Sequence, residues 1–341
     1  MECRLAEGST IRVQQSSAAN RPTTATPPSS TTAPQAPSST KSALGGGSIE
    51  RSSDGRVVVR GTDGADTISV QRQHNGDVKL TVNGESTLLS AAEAKNLVIH
   101  GKKGKDKITV GGGVDGVRVH GGAGNDRISV AGDNARVAGG DGNDVVRARG
   151  DNASISGGNG TDALKARGDN ARVVGGRGND RFEVRGDNAR IAGGRGNDRF
   201  EVRGDNARLF GGRGADRLGV IGDNARIHGG RGNDSIGVDG DNARVRGHRG
   251  NDLIAVTGDN ANVGGNRGND TLLVEGNNAR VFGGRGRDTS VVEGNDARVN
   301  GGFGVDTTIV LGDNATGISN RDDDKQLLLG LDAQRLRARR A

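Results

Sequence analysis

Residues 175–192 read GGRGNDRFEVRGDNARIA, and residues 193–210 read GGRGNDRFEVRGDNARLF. The same eighteen-residue unit runs without a gap from Gly121 to Ile318, eleven copies in register. A unit this short encloses no core of its own. Each copy must bury its apolar side chains against the copies before and after it, which restricts the chain to a solenoid.

Counting coil positions 1 to 18 from Gly175, apolar residues fall at 8 and 10 (Phe182, Val184) and at 15 and 17 (Ala189, Ile191). Each pair is two residues apart, so each marks one face of a short strand, with polar Arg181, Glu183 and Arg190 between. The turn segments GGRGND and RGDN separate the strands. The fold class expected is all-β: a parallel β-roll, or β-solenoid, of 18-residue coils, each with two strands and two turns. A left-handed hexapeptide helix would need apolar residues every six, which this pattern does not supply. Composition agrees with a thin core: 62 Gly, five Phe and no Trp or Tyr. The single Cys3 excludes an intramolecular disulfide.

The flanks divide the chain further. Residues 1–48, with TPPSSTTAPQAPSST, are expected to be a disordered Ser/Thr/Pro-rich leader, serving as a tether or an uncleaved export signal. Residues 49–120 are expected to form an N-terminal cap with degenerate repeats and a hairpin region. There RVVVRG begins a strand, Asn75-Gly76 and Asn83-Gly84 signal hairpin turns, and SAAEAKN offers one helical turn. Residues 121–318 are the eleven-coil roll. In 319–341, Leu327, Leu328, Leu331 and Leu336 have roughly helical spacing, with acids first and arginines last. This predicts a short C-terminal capping helix with a basic tail.

Chemistry concentrates at coil position 6. It is Asp in every copy: Asp126, Asp144, Asp162, Asp180, Asp198, Asp216, Asp234, Asp252, Asp270, Asp288 and Asp306, with Asp66 and Asp106 continuing the column upstream. Stacked coils set these carboxylates ~4.8 Å apart. Neighbours then repel by ~0.9 kcal/mol in water and ~3.5 kcal/mol at an effective dielectric constant of 20. Over the whole column that rivals a net stability of about 5–15 kcal/mol, so the column calls for cations. Glycines at positions 1, 2 and 4 are expected to let the loop take positive φ and turn its carbonyl oxygens inward. Carboxylates with carbonyls make an all-oxygen cage that suits Ca²⁺ better than Zn²⁺ or Mg²⁺.

The motif GGxGxDxUx, with U apolar, resembles the repeat of the RTX, or hemolysin-type, calcium-binding β-roll proteins. Nine of the eleven coils carry GGxGxD; His248 and Asn266 replace the second Gly, and Ser290 and Thr308 replace the apolar residue. The resemblance covers about 55–318 and implies calcium between successive coils on one side. It also implies export, with extracellular calcium folding the roll. One departure is plain. The second half of the coil reads GDNA, with Ala where a second liganding Asp would stand. Its Asp column (Asp133, Asp151, Asp169, Asp187, Asp205, Asp223, Asp241, Asp259) and Asn column (Asn134, Asn152, Asn170, Asn188) suit a hydrogen-bonded turn ladder, with a second calcium row as the alternative.

Two Arg columns accompany the Asp column. Position 3 is Arg in seven successive coils, Arg177, Arg195, Arg213, Arg231, Arg249, Arg267 and Arg285. Position 16 carries Arg136, Arg172, Arg190, Arg208, Arg226, Arg244, Arg280 and Arg298. The first column offers a rival means of neutralising the aspartates. Together the two offer the alternative of a calcium-independent interaction module, a secreted effector among its forms, for acidic polysaccharide or nucleic acid. The leading reading is a non-enzymatic, secreted calcium-binding protein. Residues 1–13 lack the apolar stretch of a Sec signal, which directs the expectation to type I or type III-like export and leaves a cytoplasmic location open. No HExxH occurs, no non-repeating group of catalytic residues stands out, and no apolar run reaches membrane-span length.

Overall fold

The computed structural model describes residues 39–318 and 324–330. Two sheets of sixteen strands each run through the described residues. Sheet B takes coil positions 7–11, as in Arg181–Arg185. Sheet A takes positions 16–18 together with 1–3 of the next coil, as in Arg190–Arg195. Within each sheet, equivalent residues of successive coils pair in parallel, for example Phe182 with Phe200 and Ile191 with Leu209. The register is therefore the sequence period itself.

The apolar positions face inward as their spacing requires. Phe182, Val184 and Ala189 are fully buried and Ile191 is 2% exposed, and one continuous core runs from Leu44 to Val310. The Phe182 and Phe200 rings stack 4.5 Å apart within it. Ser290 and Thr308 keep the inward position 8 despite their hydroxyls, and Ser290 Oγ has no hydrogen-bond partner.

Antiparallel pairs cap both sheets at the N-terminal end. In sheet B, Thr67–Arg72, Val78–Val82 and Glu85–Leu89 pair antiparallel through the two expected turns. Asn83 and Gly84 take φ of 49° and 91°, the handedness that a two-residue hairpin needs. Ala91–Ala94 is the expected helical turn, closed by a reciprocal Ser90–Glu93 capping box. Arg51 ties Glu93 to sheet A through a 2.8 Å ion pair.

Two expectations for the flanks are corrected. The stretch assigned to the leader through residue 48 already contains a strand, Ser39–Leu44, paired antiparallel with Gly47–Ser52. Those Ser, Thr and Gly residues gain a ladder partner that composition does not reveal. The leader's residues 1–38 lie outside the described residues. At the other end, Lys325–Leu329 is a strand and not a helix, continuing sheet B beside Thr307–Leu311. Here Leu328 packs against the core, while Leu327 and Leu329 are exposed. Leu331 and Leu336 lie outside the described residues.

Candidate metal centre

The thirteen aspartates from Asp66 to Asp306 line up at one turn and are all buried, at 1–2% exposure. Each coil's Asp backbone N–H donates to Oδ1 of the next coil's Asp, as in Asp126 to Asp144 at 2.8 Å and Asp180 to Asp198 at 2.8 Å. These bonds stabilise the ionised form but use one oxygen. The other, Oδ2, is buried and has no hydrogen-bond partner in Asp106, Asp126, Asp144, Asp162, Asp180, Asp198, Asp216, Asp234, Asp252, Asp270 and Asp288. A buried carboxylate oxygen left so is costly, and native folds keep few of them.

Electrostatics register the strain. Burial pushes Asp144 and Asp180 up to about 6 and Asp198 and Asp216 up to about 7, against an ordinary 3.8. Backbone hydrogen bonds oppose the rise, and neighbouring aspartates add to it, Asp216 and Asp180 acting on Asp198. Among the described residues, no ion pair relieves Asp106 through Asp288. Among the described residues, the ion pairs within the coils join Lys165, Arg167, Arg181, Arg185 and Arg199 to Glu183 or Glu201 on sheet B. Arg177, Arg195 and Arg213 stand exposed at one end of the sheet A strands, and Arg190, Arg208 and Arg226 at the other. Neutralisation of the aspartates by the position-3 arginines is therefore not what the structure forms.

The position-1 glycine explains the shape of the space. It does not need positive φ, contrary to the sequence expectation, which holds for positions 2 and 4. A Cβ at Gly193 would collide with Asp198 Oδ2 and lie 2.5 Å from the carbonyl oxygen of Gly211. At Gly175 it would collide with Asp180 Oδ2 and lie 2.7 Å from the Gly193 carbonyl oxygen. The missing side chain thus leaves a cradle where a carboxylate oxygen and the next coil's carbonyl oxygen converge. Among the described residues no three His, Cys, Asp or Glu side chains gather at one point. Any ion here would be held by one or two carboxylates and by backbone carbonyls. That donor set is hard and all-oxygen, and it fits calcium.

Position 2 shows how much the cradle tolerates. His248 and Asn266 replace Gly there at φ of 84°, and Asp252 and Asp270 beside them keep the same burial and the same free Oδ2. Asp66 differs. Its Oδ2 accepts from the Thr62 backbone N–H at 2.6 Å, and its Oδ1 accepts from Asn83 Nδ2 at 2.6 Å. At this end of the column the Thr62 backbone N–H thus supplies the Oδ2 donor that Asp106 through Asp288 lack, and the hairpin residue Asn83 takes Oδ1 in place of a preceding coil. At the opposite end, Asp306 N–H donates to Asp324 Oδ1 at 3.0 Å, which extends the ladder one step beyond the sequence reading.

The GDNA turn forms the ladder anticipated for it. Asp151 N–H donates to Asp133 Oδ1 at 2.8 Å, and the pattern repeats through Asp259 and Asn277. Donation runs opposite to that in the position-6 column, and these side chains are exposed. Asn134, Asn152, Asn170 and Asn188 take φ of 57–60°, which Asn tolerates better than most residues. Sequence reasoning missed a third ladder at position 5, where Asn143 N–H donates to Asn125 Oδ1 and Asn197 N–H to Asn179 Oδ1. It also missed that scattered histidines meet across coils: His100 stacks on His120, and Phe210, His228 and His248 form a continuous stack. The recurring Asn was a readable signal; the His contacts required the register.

Comparison with known proteins bears on the same turn. The RTX calcium-binding nonapeptide repeat matches residues 98–128, 117–136, 129–164, 138–173, 166–200, 184–218, 222–254 and 256–289. A solved structure, a hyperactive, Ca²⁺-dependent, β-helical antifreeze protein from an Antarctic bacterium, aligns with a TM-score of 0.46 at 24% identity, covering 67% of this chain and 77% of that one. No curated protein matches.

Proposed function

The chain belongs to the RTX calcium-binding nonapeptide repeat family, and from that premise we propose that it is a non-enzymatic solenoid whose folding is coupled to calcium binding along the position-6 column. The observation that carries the reading is the row of buried Oδ2 atoms without partners from Asp106 to Asp288, each beside a position-1 glycine, with the next coil's carbonyl oxygen converging on the same place from Gly101 through Gly229 and again at Gly283. Asp106 through Asp306 are the proposed carboxylate ligands, and the carbonyls of the position-1 glycines are the proposed partners. Asp66, with both oxygens already hydrogen-bonded, is proposed as a terminating cap. Bound calcium would supply the positive charge that the column lacks. The chain's part is to keep the carboxylates ionised through Oδ1, to exclude side chains at position 1, and to fix the spacing by parallel pairing.

Binding of this kind draws folding free energy from the ion, because the unfolded chain offers no such cage. The proposed setting is extracellular, where calcium is abundant and the rod would be folded. Each carboxylate in this scheme lies between two coils, so occupancy should approach one ion per coil. Equilibrium dialysis against calcium in an excess of magnesium tests this. Many ions per chain are expected; one or none would remove the proposal.

A further inference from the structure

We propose that sheet A carries a lengthwise slot for a linear acidic polysaccharide, formed by the position-3 arginines of coils five to nine. Arg195, Arg213, Arg231, Arg249 and Arg267 stand along a groove whose floor is the position-2 backbone, with Gly194, Gly212 and Gly230 giving way to His248 and Asn266. These arginines are exposed and lie in direct parallel register, Arg195 beside Arg213 and Arg213 beside Arg231. Among the described residues none of them takes part in an ion pair, whereas Glu183 and Glu201 on sheet B each collect two or more cations. A row of like charges at the spacing of stacked strands repels itself, and no ion-pair partner meets it among the described residues. The partner that relieves it is an anion repeating along the rod axis.

The groove's chemistry narrows the class. Its floor lacks side chains in three successive coils, so a ligand can lie against the backbone. At the far end of the floor, the His248 and His228 rings are joined by a 2.7 Å hydrogen bond. The guanidinium fork pairs with carboxylate and sulfate in two-point fashion. A sugar ring is about as long as a coil is deep, so one acidic group per ring keeps step with one Arg per coil. No Phe, Tyr or Trp lines the groove, so it lacks the stacking platform by which proteins hold single-stranded nucleic acid. The position-16 arginines, on the same sheet, line no part of it and serve as an internal control.

The inference needs a folded rod but not the calcium assignment itself. The full chain is therefore tested in calcium after its β-signal has been confirmed, and again in chelator. The probe is a size-defined heparin oligosaccharide at low salt. Replacing Arg213, Arg231 and Arg249 with Ser should weaken binding about tenfold, while replacing Arg208, Arg226 and Arg244 should change it by less than about threefold. The single Arg231→Gln variant repeats the comparison with least disturbance of the strand. Equal losses from both triple variants, tighter binding of a single-stranded oligonucleotide, or no binding at low salt would each overturn the slot. Binding that persists with an unchanged β-signal in chelator would instead retain the slot and remove the calcium reading.

Discussion

Asp198→Asn should change sign with calcium. The substitution keeps Oδ1, and with it the 2.8 Å bond from the Asp180 backbone N–H. It replaces the unpartnered, buried Oδ2 with an amide that carries two protons. One of these faces the space shared with the Gly211 carbonyl oxygen. In ion-free protein the change removes a desolvated charge that already holds the carboxyl near 7. Relieving an unsatisfied buried group is worth about 1–3 kcal/mol. For a domain of this size that corresponds to a rise in melting temperature of ~2–4 °C per kcal/mol. In calcium the same substitution deletes a ligand and should lower the melting temperature relative to the parent chain. Asp205→Asn is the control: Asp205 is exposed, its Oδ1 accepts the Asp223 N–H, and Asn keeps that acceptor. It should shift neither curve appreciably. Paired thermal melts by circular dichroism, in chelator and in calcium, read both signs. An Asp198→Asn variant less stable in both conditions would refute the claim that Oδ2 is an ion ligand bearing an uncompensated charge.

Other perturbations separate the two aspartate ladders and the core. Asp180→Ala should lower the calcium-loaded melting temperature more than Asp187→Ala, because the latter loses only an exposed turn acceptor worth about 1 kcal/mol; equal shifts would contradict the one-sided assignment. Ser290→Val should stabilise the protein by about 1–2 kcal/mol in urea titrations, since Ser290 Oγ is buried without a partner in an apolar column. The pH dependence should invert with calcium. In ion-free protein, burial raises the column from 3.8 to about 6 for Asp144 and about 7 for Asp198. That contribution to stability is fully present below the unfolded-state value and is lost as pH rises through about 6 to 7, so ion-free protein should melt lower at pH 8 than at pH 5. Calcium affinity should rise over the same window, because ligation needs the ionised carboxylate. A flat ion-free profile would count against the burial of charge.

Much of this was legible because the period does two jobs at once. Positions 8, 10, 15 and 17 alternate in the sequence and are buried in the structure, and parallel stacking places equal positions side by side. Asn83-Gly84 and Ser90–Glu93 carried their turn and cap in their own chemistry. What failed to show depended on partners elsewhere. Asp324 stands eighteen residues after Asp306, but Ser319, Asn320 and Asp322 replace the marker glycines, and the leucines of that stretch mimic a helix. Only the edge of sheet B makes Lys325–Leu329 a strand. Ser39–Leu44 is likewise a strand because Gly47–Ser52 pairs with it. At the site, the sequence marked the aspartates but not the division of labour between their oxygens. That division follows from the backbone N–H of the preceding coil.

The most direct test of the account is a calcium titration of ion-free protein followed by far-ultraviolet circular dichroism, with magnesium as the matched control. Removing calcium should lower the β-signal and leave a weakened fold that melts well below the calcium-loaded one. Calcium should restore the signal cooperatively, and equal magnesium should not, because the cage is flexible and rich in carbonyls. A β-signal that is already complete in chelator, and indifferent to added calcium, would contradict the claim that the ion completes this fold.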